Sequence, residues 1–199
     1  AQSERPGLLA YLNNLGLTEV SNAAIVDIGY SATVQGYLND LINKGINGYY
    51  LMTRKRAEQV SSKYKVIAQG YFCHYIHPDI NSPVILRESF SLEKLLSSDD
   101  AQIVSYRQAD SGDILPEFRH LADEERLSML KRAEIRRGIM DFVNQSIMIR
   151  DKLVSDFKVP PDIAIDLFEE FIAHPSQAEQ DILGALVLDD HYCGRGIVS

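Results

Sequence analysis

The chain has 199 residues, 45% of them hydrophobic, and a formal net charge of −8 at pH 7. That is enough for one domain with a real core, or one domain plus a helical appendage, and the negative balance excludes a general nucleic-acid binder, because phosphate backbones are held by clustered Lys and Arg. Cys73 and Cys193 lack CxxC spacing, which argues against a zinc site or a disulfide framework and for a reducing, cytoplasmic setting. No apolar run approaches the ~20 residues of a membrane span, and Ala-Gln-Ser-Glu-Arg-Pro at the start lacks a secretory h-region. The start just before an apolar helix predicts a piece of a longer protein.

Pro6 through Leu17 reads as an amphipathic helix on Leu8, Leu9, Tyr11, Leu12 and Leu15, with Gly16 as its C-cap. Ala23 to Gln35 reads as a buried strand ending on Asp27, a glycine turn and a hydroxyl-rich helix start. The helix is predicted over 32–43, with Val34, Leu38, Leu41 and Ile42 as its apolar stripe. After a turn at 44–48, Tyr49–Thr53 is a second strand, and a right-handed crossover makes the pair parallel. Residues 65–76 are predicted as a third strand with a bulge at Gly70.

Leu86 to Leu96 reads as a short helix, and 101–107 with 114–118 as a β-hairpin whose second arm, carrying Pro116, is an edge. From Asp123 a stripe of Leu127, Leu130, Ile135, Ile139, Phe142, Val143, Ile149 and Leu153 predicts the longest helix. Pro160-Pro161 breaks it, since an interior proline costs ~3 kcal/mol in a helix. Ile163, Leu167, Phe168 and Phe171 then mark another helix, and Ser176 with Glu179 forms a capping box for the last. The expected fold is α/β: a Rossmann-like sheet with parallel strands, Ile25 and Val26 central, plus a β-hairpin and a C-terminal helical lobe. Residues 1–120 form the α/β domain and 121–199 the helical lobe, as two lobes or as one sheet with a helical cover.

Ligands of parallel sheets bind outside the carboxyl ends of the strands. There Asp27 is expected, with Gly29 letting the backbone approach and Ser31 and Thr33 supplying donors at a helix start. The competing reading is that Asp27 and Ser31 merely cap that helix. Arg54, Lys55 and Arg56 follow the second strand, at the same edge, as anion partners or as a solvated turn. Glu88, beside Arg87, is a candidate acid; Glu93 reads as a solvated helix face. His74 and His77 near Cys73 and Asp79 resemble metal ligands in type, but positions three apart point to opposite faces of a strand, so no metal is expected. Asp189 to Arg195 gathers two carboxylates, an imidazole and a guanidinium in a loop. No GxSxG, Walker A, HExxH or GxGxxG motif is present, and no cofactor is expected.

Arg5-x-x-Leu-Leu-x-Tyr11-Leu, Val26-Asp-Ile-Gly29-Tyr-Ser-Ala-Thr33-Val-Gln35 and Ile46-x-Gly48-Tyr-Tyr50-Leu together resemble the region that follows the hydrolase domain in predicted hydrolases of the haloacid dehalogenase superfamily. These are bacterial proteins associated with rhamnan-type and other surface-polysaccharide synthesis. Leu92-Glu93, Gly138-Ile-x-x-Phe142 and Phe171-Ile-x-x-Pro175 also resemble that family, so the likeness covers most of the chain. The family's usual motif is Val-Asp-Ile-Gly-Trp-x-Gly-Thr-x-Gln, so Tyr30 stands for Trp and Ala32 for Gly. The resemblance implies a glycan-biosynthesis setting and adds Tyr30 and Gln35 to the ligand-binding set of Asp27, Gly29, Ser31, Thr33, Arg54 and Glu88. It brings no phosphatase chemistry, because the hydrolase motifs lie upstream and Gly29 stands where a proton-donating Asp is needed.

Three function classes follow. The first is a nucleotide-sugar or phosphosugar binding domain working in polysaccharide synthesis, including as part of a glycosyltransferase, with other domains of the parent protein as partners. The second is a non-catalytic interaction module. The third, a haloacid-dehalogenase-type phosphatase, is disfavoured by Gly29.

Overall fold

The computed structural model describes residues 4–77, 79, 82–190 and 196–198, and the chain divides into two compact units, Ala1–Ser82 with Ala101–His120, and Pro83–Asp100 with Leu121–Ser199. In the first, α1 (Arg5–Asn14) leads to β1 (Ala24–Asp27), α2 (Thr33–Ile42), β2 (Asn47–Arg54), α3 (Lys55–Tyr64) and β3 (Ala68–Ile76). The strands form a parallel sheet of order β1-β2-β3, with Asp27 beside Tyr50 and Gly48 beside Ala68. The antiparallel hairpin of β4 (Ile103–Gln108) and β5 (Ile114–Phe118) packs on α1, where the Tyr11 and Tyr106 ring centroids lie 5.2 Å apart.

Two expectations are corrected here. The central strand is β2, and β1 is an edge strand on which Val26 is 86% exposed. The apolar run at 23–28 marks a strand but carries no information on strand order. Ala32, Tyr50, Ala57 and Ala68 form one buried cluster, with Val60 and Tyr75 packed against it, so α2 and α3 cover the same face. Val26 pairs with Tyr49, and both point to the opposite face, where Tyr71 is also exposed. The second correction is α3 itself, for which the sequence reading has only Arg54–Arg56 at its start, as anion partners or a solvated turn: its apolar line is Ala57, buried, and Val60, packed on the core, among charged and polar neighbours.

The buried line of α2 is Gln35, Gly36 and Asn39, while Val34 of the expected stripe is exposed. The two amides face the backbone at the entry to β2. Gln35 Nε2 donates to the carbonyls of Ile46 (2.6 Å) and Ile67 (2.8 Å), and its Oε1 accepts from the Tyr50 hydroxyl at 2.9 Å. Asn39 Oδ1 accepts from the Ile46 N–H at 2.8 Å. Polar side chains are buried because the strand start needs partners.

Burial, and next the charge of Asp27, raises the Tyr50 hydroxyl above its ordinary pKa. The folded state therefore holds this proton more tightly than the unfolded state. The resulting stability is full below the unfolded value, about 10, and is lost as pH rises beyond it. Tyr50→Phe is expected to cost about 1–3 kcal/mol at neutral pH by orphaning Gln35 Oε1. It is also expected to flatten the alkaline limb of the stability curve, checked by urea unfolding at several pH values above and below that point.

β3 is bulged twice: Tyr50, Met52 and Arg54 pair with Gly70, Cys73 and Ile76, two residues of β2 against three of β3 each time. His74 pins the first bulge. Its Nδ1 accepts from the Gly70 N–H (3.2 Å) and lies 3.1 Å from the Thr53 hydroxyl, whose oxygen accepts from the Tyr75 N–H at 3.1 Å. An accepting Nδ1 places the proton of the neutral ring on Nε2. Burial raises the nearby Cys73 thiol above its ordinary pKa, which keeps it a thiol.

The second unit holds α4 (Val84–Arg87), α5 (Ser89–Leu96), α6 (Asp123–Lys152), α7 (Pro161–Ala173), α8 (Gln177–Ala185) and the antiparallel pair β6 (Leu188–Asp190) and β7 (Gly196–Val198). Residues 83–100, read from sequence with the α/β part, group with these helices, because Val84, Ile85 and Leu86 are buried and α4 packs on α7. Along α6 the buried residues are Glu125, Ser128 and Arg132, whereas Leu130, Phe142 and Leu153 of the expected stripe are exposed. Arg132 donates to the carbonyls of Ser98 and Val187, and the Ser128 hydroxyl accepts from the Val187 N–H at 3.0 Å. Pro160-Pro161 separates α6 from α7, and Ser176 with Glu179 closes the capping box of α8.

Candidate functional site

The parallel register points the carboxyl ends of β1 and β2 in the same direction. Asp27 ends β1, and β2 runs four residues past its pairing with Asp27 to reach Arg54. There the Arg54 N–H donates to the Tyr30 carbonyl at 2.8 Å, and the guanidinium carbon stands 4.0 Å from the Tyr30 ring centroid. The stacking is a cation–π contact, so Tyr30 and Arg54 form one unit that closes over the β1–α2 loop. Arg54 Nε is buried without a hydrogen-bond partner among the described residues, a costly state for a charged donor.

Asp27 Oδ1 accepts from the Gly29 N–H at 2.8 Å, an Asx turn that bends the chain out of β1. Its second oxygen has no protein donor among the described residues. The capping reading fails: Ala32, in the left-handed region at φ 54°, is the N-cap of α2, and no side chain caps that helix. The first N–H groups of α2 therefore have no intrahelical or side-chain partner, and Thr33 stands at their head with Ser31 in the loop before it.

Of the expected residues, Asp27 and Gly29 meet in the turn after β1, Tyr30 stacks on Arg54 at the end of β2, and Ser31 and Thr33 follow at the start of α2. Gln35 does not join them as a ligand residue. It is fully buried, with both ends of its amide engaged inside the protein. Glu88 lies at the α4–α5 junction of the second unit, where it accepts from the Ser91 hydroxyl at 3.3 Å. His191, Tyr192, Cys193, Gly194 and Arg195 lie outside the described residues. His74, in the group with metal-ligand residue types, has its Nδ1 engaged by Gly70 and Thr53.

Comparison with protein-family models, with curated proteins and with solved structures finds no match to this chain. Among the described residues no helix is long and apolar enough to cross a membrane.

Proposed function

We propose that the chain is a nucleotide-sugar or phosphosugar binding domain of a bacterial polysaccharide-synthesis protein, with the phosphate at the carboxyl ends of β1 and β2. The observation that carries this reading is Arg54: a guanidinium held over the strand-end loop, with a buried Nε that lacks a partner among the described residues. A phosphate oxygen supplies that partner by a charge-assisted hydrogen bond. The uncapped start of α2 and the Thr33 hydroxyl add donors for the same anion. The free oxygen of Asp27 suits a sugar hydroxyl. The polysaccharide setting rests on the resemblance of the 26–35 motif, and the reaction belongs to the partner domains of the parent protein.

Calorimetry with nucleotide sugars and sugar phosphates tests the assignment. Arg54→Gln is expected to weaken binding by about 1.5–3 kcal/mol and Thr33→Val by about 0.5–1.5 kcal/mol. Asp27→Asn keeps an oxygen for the Gly29 N–H, so its melting temperature should stay close to that of the parent while binding is lost. An Asp27→Asn protein that melts early yet binds normally would move the assignment to an interaction module. That second reading has its own observation: parallel sheets are ordinarily covered on both faces, and here Val26 and Tyr71 are 86% and 66% exposed.

A further inference from the structure

The solvent side of the α2–α3 pair is a cleft of about 230 Å³. On α2 the lining residues Thr33, Gly36, Tyr37 and Asp40 recur at helical spacing, and on α3 Arg56, Val60 and Lys63 do the same, with Tyr64 beside them. Facing helix stripes normally close into an apolar seam. These stripes carry hydroxyls, charges and rings, and they leave a gap.

Three features give the gap a ligand chemistry. Charge comes first: Lys63 is neutralised by Asp40 at 3.2 Å and also donates to the Tyr64 hydroxyl at 2.5 Å. Arg56 is exposed and has no ion pair or hydrogen bond among the described residues. The cleft thus offers one spare positive charge in a chain of net charge −8. Size comes second: the volume is below the ~300 Å³ at which drug-sized pockets begin, which suits a single sugar ring. Arg56 and Lys63 stand seven residues apart, about 10 Å along the helix, with Tyr37 and Tyr64 supplying aromatic walls.

The third feature is Gly36, at the cleft floor. Glycine inside a helix is less stable than alanine, and packing does not demand it here: an added Cβ meets only Val60 Cγ2 at 3.6 Å and Cγ1 at 3.9 Å, and Tyr64 Cε2 at 4.0 Å, all ordinary contacts. Its backbone φ is not in the left-handed region either. The missing methyl costs stability and leaves space only in the cleft.

We propose that the α2–α3 cleft binds one hexose-sized ring bearing a single anionic group, with the ring between the tyrosine walls above Gly36 and the anion on Arg56. This site is separate from the strand-end corner, although Thr33 borders both. Carboxylate and phosphate sugars share the chemistry, so glucuronate and glucose 6-phosphate are the two probes, with glucose and inorganic phosphate as controls. Binding is read by calorimetry and by shifts of the Gly36 amide in NMR spectra.

Either charged sugar is expected to bind and to shift Gly36, and the one that binds tighter identifies the anion. Arg56→Gln should weaken it about tenfold or more. Gly36→Ala should raise Tm by about 2–4 °C while weakening the charged sugar about tenfold, the scale of one methyl group in a fitted pocket. A merely structural glycine would not separate those two effects. Unchanged affinity in Gly36→Ala or Arg56→Gln overturns the proposal, as does binding of inorganic phosphate as tight as that of the sugar phosphate, or no binding of either charged sugar. Binding lost in Arg54→Gln but kept in Arg56→Gln also overturns it and assigns the ligand to the strand ends. Binding weakened in Arg56→Gln and Gly36→Ala but kept in Arg54→Gln keeps the cleft and separates it from the strand-end reading.

Discussion

Gly70→Ala is expected to destroy the β2–β3 half of the sheet. A Cβ at this position lies 2.0 Å from the Cys73 carbonyl oxygen, 2.7 Å from the Thr53 nitrogen and 3.0 Å from the Met52 carbonyl carbon. All three are backbone atoms, so no rotamer change relieves the collision. The chain must either unwind the bulge, which breaks the Gly70 N–H to His74 bond, or move β3 off the central strand. Either response costs more than about 4 kcal/mol, a scale reached by few substitutions, against a total stability of about 5–15 kcal/mol. Urea unfolding should show the transition lost or shifted to very low denaturant. Gly138→Ala, in α6 with nothing within 4 Å of an added Cβ, is the control and should stabilise by up to about 1 kcal/mol. Equal behaviour of the two variants would refute the collision argument.

Gly70 was readable as a bulge because glycine inside a strand pattern has few other uses. The collision partner was not, because it depends on which residue of β3 comes back against β2. The same division runs through the molecule. The hairpin, the proline break before α7 and the capping box of α8 are local, each set by a few neighbouring residues, and each was legible. The edge position of β1 and the buried faces of α2 and α6 are set by what lies opposite them: the stripe read for α6 is mostly exposed, and in α2 Val34 is exposed while Leu38, Leu41 and Ile42 are half-buried beside the fully buried amides. Helix α3 escaped because its apolar line, Ala57 with Val60 packed on the core, is only two small residues set among charged and polar ones. At the strand ends, the parallel pairing of β1 with β2 followed from the crossover rule. The stacking of Arg54 on Tyr30 and the orphaned Nε did not, since they need the actual overrun of β2. The cleft signal was present as Thr33, Gly36, Tyr37 and Asp40, a polar stripe at helical spacing, but its partner stripe lay on the unread helix.

Gln35 has the next largest predicted effect, and it also decides between two uses of the same motif residue. Its side chain partners three groups at once, the carbonyls of Ile46 and Ile67 and the hydroxyl of Tyr50, and of these the Ile67 carbonyl also accepts from the Gly48 N–H at 2.7 Å. Gln35→Leu keeps the size and removes every polar atom, leaving the Ile46 carbonyl and the Tyr50 hydroxyl without this partner at about 1–3 kcal/mol each. The sum is roughly 2–6 kcal/mol, a large share of a total stability of about 5–15 kcal/mol. Gln35→Glu has nearly the same shape but, when ionised, turns a carboxylate toward two carbonyls. Burial among acceptors raises the pKa of that new carboxyl in the folded state. The fold is therefore favoured below the unfolded value of about 4.3, where a protonated carboxyl can still donate, and stability is lost as pH rises through the folded value. Gln35→Glu is thus expected to be more stable at pH 4 than at pH 7, relative to the parent protein, in thermal unfolding at both. A ligand residue at this position would show the opposite pattern: both variants would melt like the parent and lose only sugar-phosphate binding.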